Sequence, residues 1–338
     1  MKNNNITIIA EAGVNHNGDL QKAKKLIDIA VKSKADYIKF QTFRAEDLVI
    51  KKAIKAQYQK KNSKINESQF DMLKKLELSF KDHKILKNYC NRKKIKFLST
   101  PFGIKSFDIL KKLGINLIKI SSGDLTNIPF LQYISKKSNK KTKVILSTGM
   151  GNIKEIQDAI ENLSKFRLSK KNITLLHCTS NYPASSGSIN MNSLLTIKKK
   201  FKLLVGYSDH TLGNTASIIA VSLGAIVIEK HFTIDKKLNG PDHKASLNPQ
   251  ELNSFVKEIR NVPIMLGSFK KKTQKEEMNV KKVARKSLVA KTYIKKGELF
   301  SYKNIDIKRP GTGLSPKKIF DLINKKSKRI YKKDQLIK

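Results

Sequence analysis

Cysteine is scarce in this chain: Cys90 and Cys178 are the whole complement in 338 residues. Two thiols cannot knit a disulfide framework, and they fit a reducing cytoplasm. Long apolar runs are missing as well, none approaching the ~18 residues of a membrane span, so no membrane partner is expected. Met1-Lys2-Asn3-Asn4-Asn5 is polar and passes straight into an apolar run, without the h-region of a secretory signal. The expectation is a soluble cytoplasmic protein. No Walker loop or Gly-x-Gly-x-x-Gly fingerprint is present, which removes the usual nucleotide cradles. Acidic residues are few, 27 against 70 lysines and arginines, for a formal charge of +43. So strong a balance is the footprint of a nucleic-acid binder, the rival reading from another functional class. Arginine, whose planar fork reads bases and phosphates, supplies only seven of those 70. The lysines spread along helices and connections instead of forming one stripe with interleaved aromatics. A solvated face is therefore expected, with no specific nucleic-acid partner and a positive field that favours anionic substrates.

What is present is a rhythm. Eight short apolar runs each end in polar residues able to do chemistry. They are Ile6–Ala10 into Glu11-Ala12-Gly13, Tyr37-Ile38 into Lys39-Phe40-Gln41-Thr42, Ile95–Leu98 into Ser99-Thr100-Pro101, and Leu117-Ile118 into Lys119-Ile120-Ser121-Ser122-Gly123. The others are Val144–Leu146 into Ser147-Thr148-Gly149, Ile173–Leu176 into His177-Cys178-Thr179-Ser180, Leu203–Gly206 into Ser208-Asp209-His210, and Ala225–Ile228 into Glu229-Lys230-His231. Most are separated by one amphipathic helix's worth of sequence, the βαβ spacing of parallel strands. Eight such units predict a closed (β/α)8 TIM barrel, whose working groups gather at the C-terminal ends of the strands.

Helical patterns cover Leu20–Lys32, Ser68–Lys93, Ser106–Leu113, Lys154–Phe166, Asn192–Lys200, Asn214–Leu223 and Pro249–Val262, the last starting at Asn248-Pro249-Gln250-Glu251. The polar excursion Arg44 to Glu67 is too long for a simple connection and reads as a lid or interface loop. A lysine-rich linker without strand signal spans Lys270 to Lys282. Beyond it the turns come faster. Ser287–Ala290, Tyr293-Ile294 and Ile305–Ile307 read as short strands, with a helix near Lys317–Asn324. The expected organisation is a barrel over 1–266, a linker over 267–282 and a small β-rich domain over 283–338.

Glu11-Ala12-Gly13-Val14-Asn15-His16-Asn17-Gly18, Lys39-Phe40-Gln41-Thr42, Ser99-Thr100-Pro101-Phe102, Lys119-Ile120-Ser121-Ser122-Gly123-Asp124, Ser147-Thr148-Gly149-Met150, Ser208-Asp209-His210, Glu229-Lys230-His231-Phe232 and Gly240-Pro241-Asp242 follow one another in this order. That succession resembles the sialic acid synthase family. The stretch from Ala284-Arg285-Lys286-Ser287 to Lys308-Arg309-Pro310-Gly311-Thr312-Gly313-Leu314-Ser315-Pro316 is similar to that family's antifreeze-like, or SAF, domain. The resemblance covers nearly the whole chain. It implies a transferase that condenses phosphoenolpyruvate with an N-acetylmannosamine-type sugar and water, giving a nine-carbon 2-keto acid and phosphate.

Joining an enol carbon to an aldehyde needs an electrophile on the carbonyl, which a divalent metal supplies. The resemblance puts that metal on His210 and His231, at the ends of the seventh and eighth strands. Manganese is the first candidate, with magnesium or cobalt as alternatives. Glu11, ending the first strand, is the expected acid–base residue, because water must add to the carbon bearing the phosphate. Glu229 and Asp209 flank the histidines, where they either orient them or pair with barrel lysines. Lys39 and Lys119 end the second and fourth strands, where an unpaired charge would be costly. With Thr100, Ser122, Ser147 and Ser208 they match the family's phosphoenolpyruvate-binding positions. Gln41, Tyr182 and Asp242 match sugar-binding positions, and Arg309 matches a residue that reaches over a neighbouring subunit's barrel, which implies a domain-swapped homodimer. Around Ser180-Asn181 the chain departs from the N-acetylneuraminate synthase pattern. Lys39-Phe40-Gln41-Thr42-Phe43 resembles synthases acting on 2,4-diacetamido-2,4,6-trideoxymannose, which leads to legionaminic acid; that acceptor is the alternative. Barrels that make eight- or seven-carbon keto acids from phosphoenolpyruvate are the nearest enzymatic rivals, but they lack the appended domain.

Overall fold

Each expected apolar run becomes a strand because its alternate residues meet two different apolar surroundings, the barrel interior and the helix layer. The computed structural model describes residues 6–62 and 67–338. The polar start at 1–5 and positions 63–66 of the expected excursion lie outside the described residues. The strands are β1 (Thr7–Gly13), β2 (Tyr37–Thr42), β3 (Lys96–Pro101), β4 (Leu117–Ile120), β5 (Lys143–Ser147), β6 (Ile173–Cys178), β7 (Leu204–Asp209) and β8 (Val227–His231). They pair in parallel in the order β3-β2-β1-β8-β7-β6-β5-β4, and β3 and β4 lie side by side to bring the two ends of the sheet together. This is the expected eight-stranded barrel.

Helices alternate with the strands and cover them. Asp19 starts helix Leu20–Lys32 by accepting from the amides of Gln21 and Lys22 at 2.7 and 3.1 Å. Helix Pro249–Leu266 begins where expected, with Asn248 and Glu251 forming a reciprocal capping box. The single helix expected over Ser68–Lys93 is instead two, Gln69–Lys75 and Phe80–Lys93. Ser79 and Asp82 form a second capping box that restarts the chain there. Helix Ile128–Lys137 was not expected; Asn127 caps it and Pro129 sits in its first turn. The Arg44–Glu67 excursion is not structureless, because it carries helices Ala45–Leu48 and Gln57–Asn62. Phe43 and Leu48 join Val14, Met72 and Leu76 in an apolar cluster at the base of this excursion.

The chain divides into two compact units, 1–267 and 268–338. In the second, β9 (Ser287–Ala290) and β10 (Ile305–Lys308) pair antiparallel, with Ile305 opposite Ala290. Tyr293-Ile294, expected as a strand, makes only an isolated bridge through Ile294 to Tyr331. The expected linker ends in a helix, Glu277–Ala284, and the expected helix near Lys317 is a 3-10 turn, Pro316–Lys318, leading into Ile319–Leu322. Leu288, Ala290, Ile294, Phe300, Ile305, Tyr331 and Ile337 form a separate small core. No helix among the described residues is long and apolar enough to cross a membrane.

Candidate active site

The two-residue period of a strand builds the site. Ile9, Leu98, Ile145, Leu176 and Val227 meet inside the barrel, with Tyr37 and Leu117 packed against them. Two residues further along each of these strands the inward side chain becomes polar: Glu11, Lys39, Thr100, Lys119, Ser147, Cys178 and Glu229. On β7 the lower position is Gly206, where a Cβ would sit 2.4 Å from the Val227 carbonyl oxygen and 2.6 Å from Leu176 Cδ2. Only glycine fits there, and Ser208 follows it into the polar layer. Every strand thus contributes one group to a ring above a dry apolar floor.

The ring is a closed electrostatic network. Lys39 Nζ lies 2.7 Å from Glu11 Oε2 and 3.4 Å from Glu229 Oε2, and it donates to Thr100 Oγ1 at 2.9 Å. Lys119 Nζ lies 3.6 Å from Glu229 Oε1 and donates to Ser147 Oγ at 2.7 Å. Ser208 Oγ donates to the same Glu229 oxygen at 2.9 Å. All these side chains are buried. The two carboxylates are driven apart by their neighbours. Burial raises Glu11 to about 7, ahead of the opposing pull of Lys39 and with the help of the Glu229 charge. Burial acts on Glu229 too, but Lys119, Lys39 and Ser208 outweigh it and hold its carboxyl at about 2. Burial pushes Lys119 down against the attraction of Glu229. On Lys39 the same desolvation is outweighed by Glu11 and Glu229, which hold it up.

One step further out stand the histidines. Their ring centroids are 5.8 Å apart. His210 Nδ1 is 2.7 Å from the Thr179 carbonyl oxygen, which can only accept, so the proton sits on Nδ1 and Nε2 offers its lone pair. His231 Nδ1 is buried without a hydrogen-bond partner. Burial lowers the proton affinity of both rings, and at His231 the neighbouring His210 adds to it. His210 Nε2 also lies 3.3 Å from Ser208 Oγ; two neutral imidazoles on one rim suit a divalent transition-metal ion. Among the described residues no group of three or more His, Cys, Asp or Glu gathers to hold an ion.

Asp209 does not orient the histidines and takes its other expected place, against a barrel lysine, because the alternation that turns Ser208 and His210 inward turns Asp209 outward. There it pairs with Lys230 at 2.8 Å and accepts from Ser217 Oγ, Thr211 N and Thr211 Oγ1. Glu229 takes its other expected place, against the barrel lysines. Ser122 lies just beyond β4, where its Oγ accepts from the Gly149 amide at 3.1 Å. Gln41 is half-buried on β2, one inward position above Lys39. Tyr182 stacks on His210 with ring centroids 4.1 Å apart and meets His231 edge-on at 5.7 Å. Asp242 is buried after β8, and burial raises its carboxyl to about 6. Arg309 is exposed in the second unit, just after β10.

Sequence reasoning missed two contributors. Cys178 was not among the expected site residues, although the strand period puts it in the ring. Asn15 donates to the Phe232 carbonyl at 2.8 Å and to Ser246 Oγ at 2.9 Å, tying the end of β1 to the loop after β8. Its place in the Asn15-His16-Asn17-Gly18 motif was the available signal.

Comparison with known proteins agrees with this architecture. The NeuB family model matches residues 26–271 and the SAF domain model matches 285–338. An N,N'-diacetyllegionaminic acid synthase of Campylobacter jejuni is 50% identical over 331 residues, spanning 98% of each chain. One from Legionella pneumophila is 45% identical over 94% of this chain and 88% of its own. The human N-acetylneuraminate-9-phosphate synthase is 33% identical over 94% of this chain and 88% of its own. A crystal structure of an N-acetylneuraminic acid synthetase from Leptospira borgpetersenii superposes with a TM-score of 0.70 at 34% identity, covering 83% of this chain and 93% of that one. With its eight-stranded barrel, its ring of buried charged groups and a family model matching well over half its length, the chain belongs to the NeuB family.

Proposed function

We propose that this protein is a phosphoenolpyruvate-dependent synthase that joins phosphoenolpyruvate, water and an N-acylated mannose-type sugar into a nine-carbon 2-keto acid, releasing phosphate. The observation that carries the reading is the ring of eight inward groups, with two carboxylates of opposite proton affinity, beneath two neutral imidazoles. In the reaction C3 of the enol bonds to the aldehyde carbon, water adds to C2, and the C2–O bond to phosphate breaks. Lys39 and Lys119, with the hydroxyls of Thr100, Ser122 and Ser147, bind the anion away from bulk solvent, while Ser208, expected on the anion as well, keeps its proton on Glu229. Glu229 stays ionised and keeps both ammonium groups charged and in place. Glu11, poised at about 7, accepts a proton from the attacking water. His210 and His231 would hold the divalent ion, manganese first, which when bound polarises the acceptor's aldehyde.

Tyr182, stacked on His210, orients that ring and with Gln41 and Asp242 faces the sugar. Arg309 contributes to a partner subunit's acceptor site in a domain-swapped homodimer. Two free thiols support a reducing, cytoplasmic setting. For the acceptor, the sequence put N-acetylmannosamine first and the diacetamido-trideoxy sugar second. The relatives at 50% and 45% identity are N,N'-diacetyllegionaminic acid synthases, which supports reversing that order. The test is phosphate release from phosphoenolpyruvate with manganese, run with each of the two sugars and repeated on His231→Ala. Release that requires the diacetamido sugar and disappears in the variant is expected. Release without any sugar, or full activity in His231→Ala, refutes the reading.

A further inference from the structure

Three polar side-chain atoms crowd one bare Cα at the mouth. A Cβ on Gly149 would lie 2.5 Å from Ser180 Oγ, 2.8 Å from Ser122 Oγ and 2.9 Å from Cys178 Sγ. The Gly149 amide donates to Ser122 Oγ at 3.1 Å, and Ser122 Oγ and Cys178 Sγ are 3.2 Å apart. Cys178 is buried and is the β6 member of the inward ring. A serine hydroxyl has one proton to give and two lone-pair positions to fill. The Gly149 amide fills one of them.

We infer that Cys178 is a positioning residue for phosphoenolpyruvate: its S–H fills the second lone-pair position on Ser122 Oγ and so directs the Ser122 O–H at the substrate's anionic oxygen. The inference rests on the proposed function, which supplies the anion. Sulfur is a weak acceptor, so the thiol does not hold the Ser122 proton for itself. The longer C–S bond also lets the group reach Ser122 from the neighbouring part of the ring. Ser180 Oγ crowds the same point, and the three atoms together leave no room for a side chain at 149.

The test is calorimetric titration of phosphoenolpyruvate into the full-length manganese-loaded protein, alongside steady-state kinetics. Cys178→Ala and the space-filling Cys178→Val are each expected to weaken binding about three- to tenfold, the worth of one neutral hydrogen bond. KM for phosphoenolpyruvate should rise by a similar factor with kcat within threefold of wild type. Cys178→Ser keeps a donor but reaches less far and is a stronger acceptor for the Ser122 proton, so it should bind more weakly than wild type and more tightly than Cys178→Ala. On a Ser122→Ala background, removing the thiol should cost nothing further. If wild type does not bind phosphoenolpyruvate, the proposed function fails and takes this inference with it. If wild type binds but the alanine and valine variants bind equally well, or the losses at 122 and 178 multiply, the inference alone is overturned.

Discussion

Replacing Asp209 with asparagine separates structural from catalytic use of the motif Ser208-Asp209-His210. Asp209 and Lys230 are almost wholly buried and 2.8 Å apart. Asparagine keeps the shape but removes the charge, and its amide nitrogen brings a donor to a place where Ser217 and Lys230 already donate. Lys230 then keeps the Thr211 carbonyl, at 2.7 Å, and the face of the Phe255 ring, 5.9 Å from its centroid. Stranding one partner of a buried pair costs about 3–5 kcal/mol. Unfolding entropy of roughly 2.1 cal/mol/K per residue over the 267-residue barrel unit turns that into a Tm loss of about 5–9 °C. Adding Lys230→Met removes the stranded charge, so the double variant should melt nearer to wild type than Asp209→Asn does. Scanning calorimetry of wild type, Asp209→Asn, Lys230→Met and the double variant measures both effects. The kcat of the folded single variant at 25 °C should stay within about threefold of wild type. A hundredfold loss of kcat with an unchanged Tm would refute the assignment and return Asp209 to the active site.

Glu11→Gln should lower kcat by about a hundredfold or more, and the wild-type rise in activity through pH about 7 should be absent from the variant; an unchanged pH profile would count against Glu11 as the base. Acid should destabilise the metal-free protein. Burial lowers the proton affinity of His16 (to about 3), His83, His177 and His243 (to about 4), so the unfolded chain takes up protons there that the folded chain refuses. Stability is then complete above about 6.5 and falls as pH drops below it, by roughly 5 kcal/mol for His16 alone once pH is below both values. Glu11 and Asp242, raised to about 7 and 6, act in the opposite sense, favouring the fold at low pH and losing that contribution as pH rises. The four histidines outweigh them, and urea midpoints should rise between pH 5 and 6.5. Gly206→Ala should cost at least about 1–3 kcal/mol, because its Cβ would press on the Val227 backbone; a denaturation midpoint equal to wild type would contradict the close packing of β7 and β8.

All eight barrel strands were legible because each run is short, apolar and spaced by one helix. The ring was legible too, since the period of two fixes which residues share a face once the strands are placed. Asp209 shows what the motif left open and the strand period decides: adjacency in sequence means opposite faces in a strand, so of its two expected places Asp209 takes the one against a barrel lysine. The break at Ser79 was written in Ser79-Phe80-Lys81-Asp82, a capping pattern overridden by a continuous amphipathic reading. Composition alone could not single out two lysines; their place at the strand ends did. Only position distinguishes Lys39 and Lys119 from lysines on the solvated helices, and their proton affinities depend on Glu11 and Glu229, which are far away in sequence.

The most direct test of the central claim is to run the reaction in 18O-enriched water with manganese, phosphoenolpyruvate and 2,4-diacetamido-2,4,6-trideoxymannose, and to weigh both products by mass spectrometry. If water adds to C2 within the ring formed by Glu11, Lys39, Lys119 and Glu229, the released phosphate carries no label, and a nine-carbon 2-keto acid forms in equal amount. Labelled phosphate, or phosphate without the keto acid, would mean attack at phosphorus and would contradict the account.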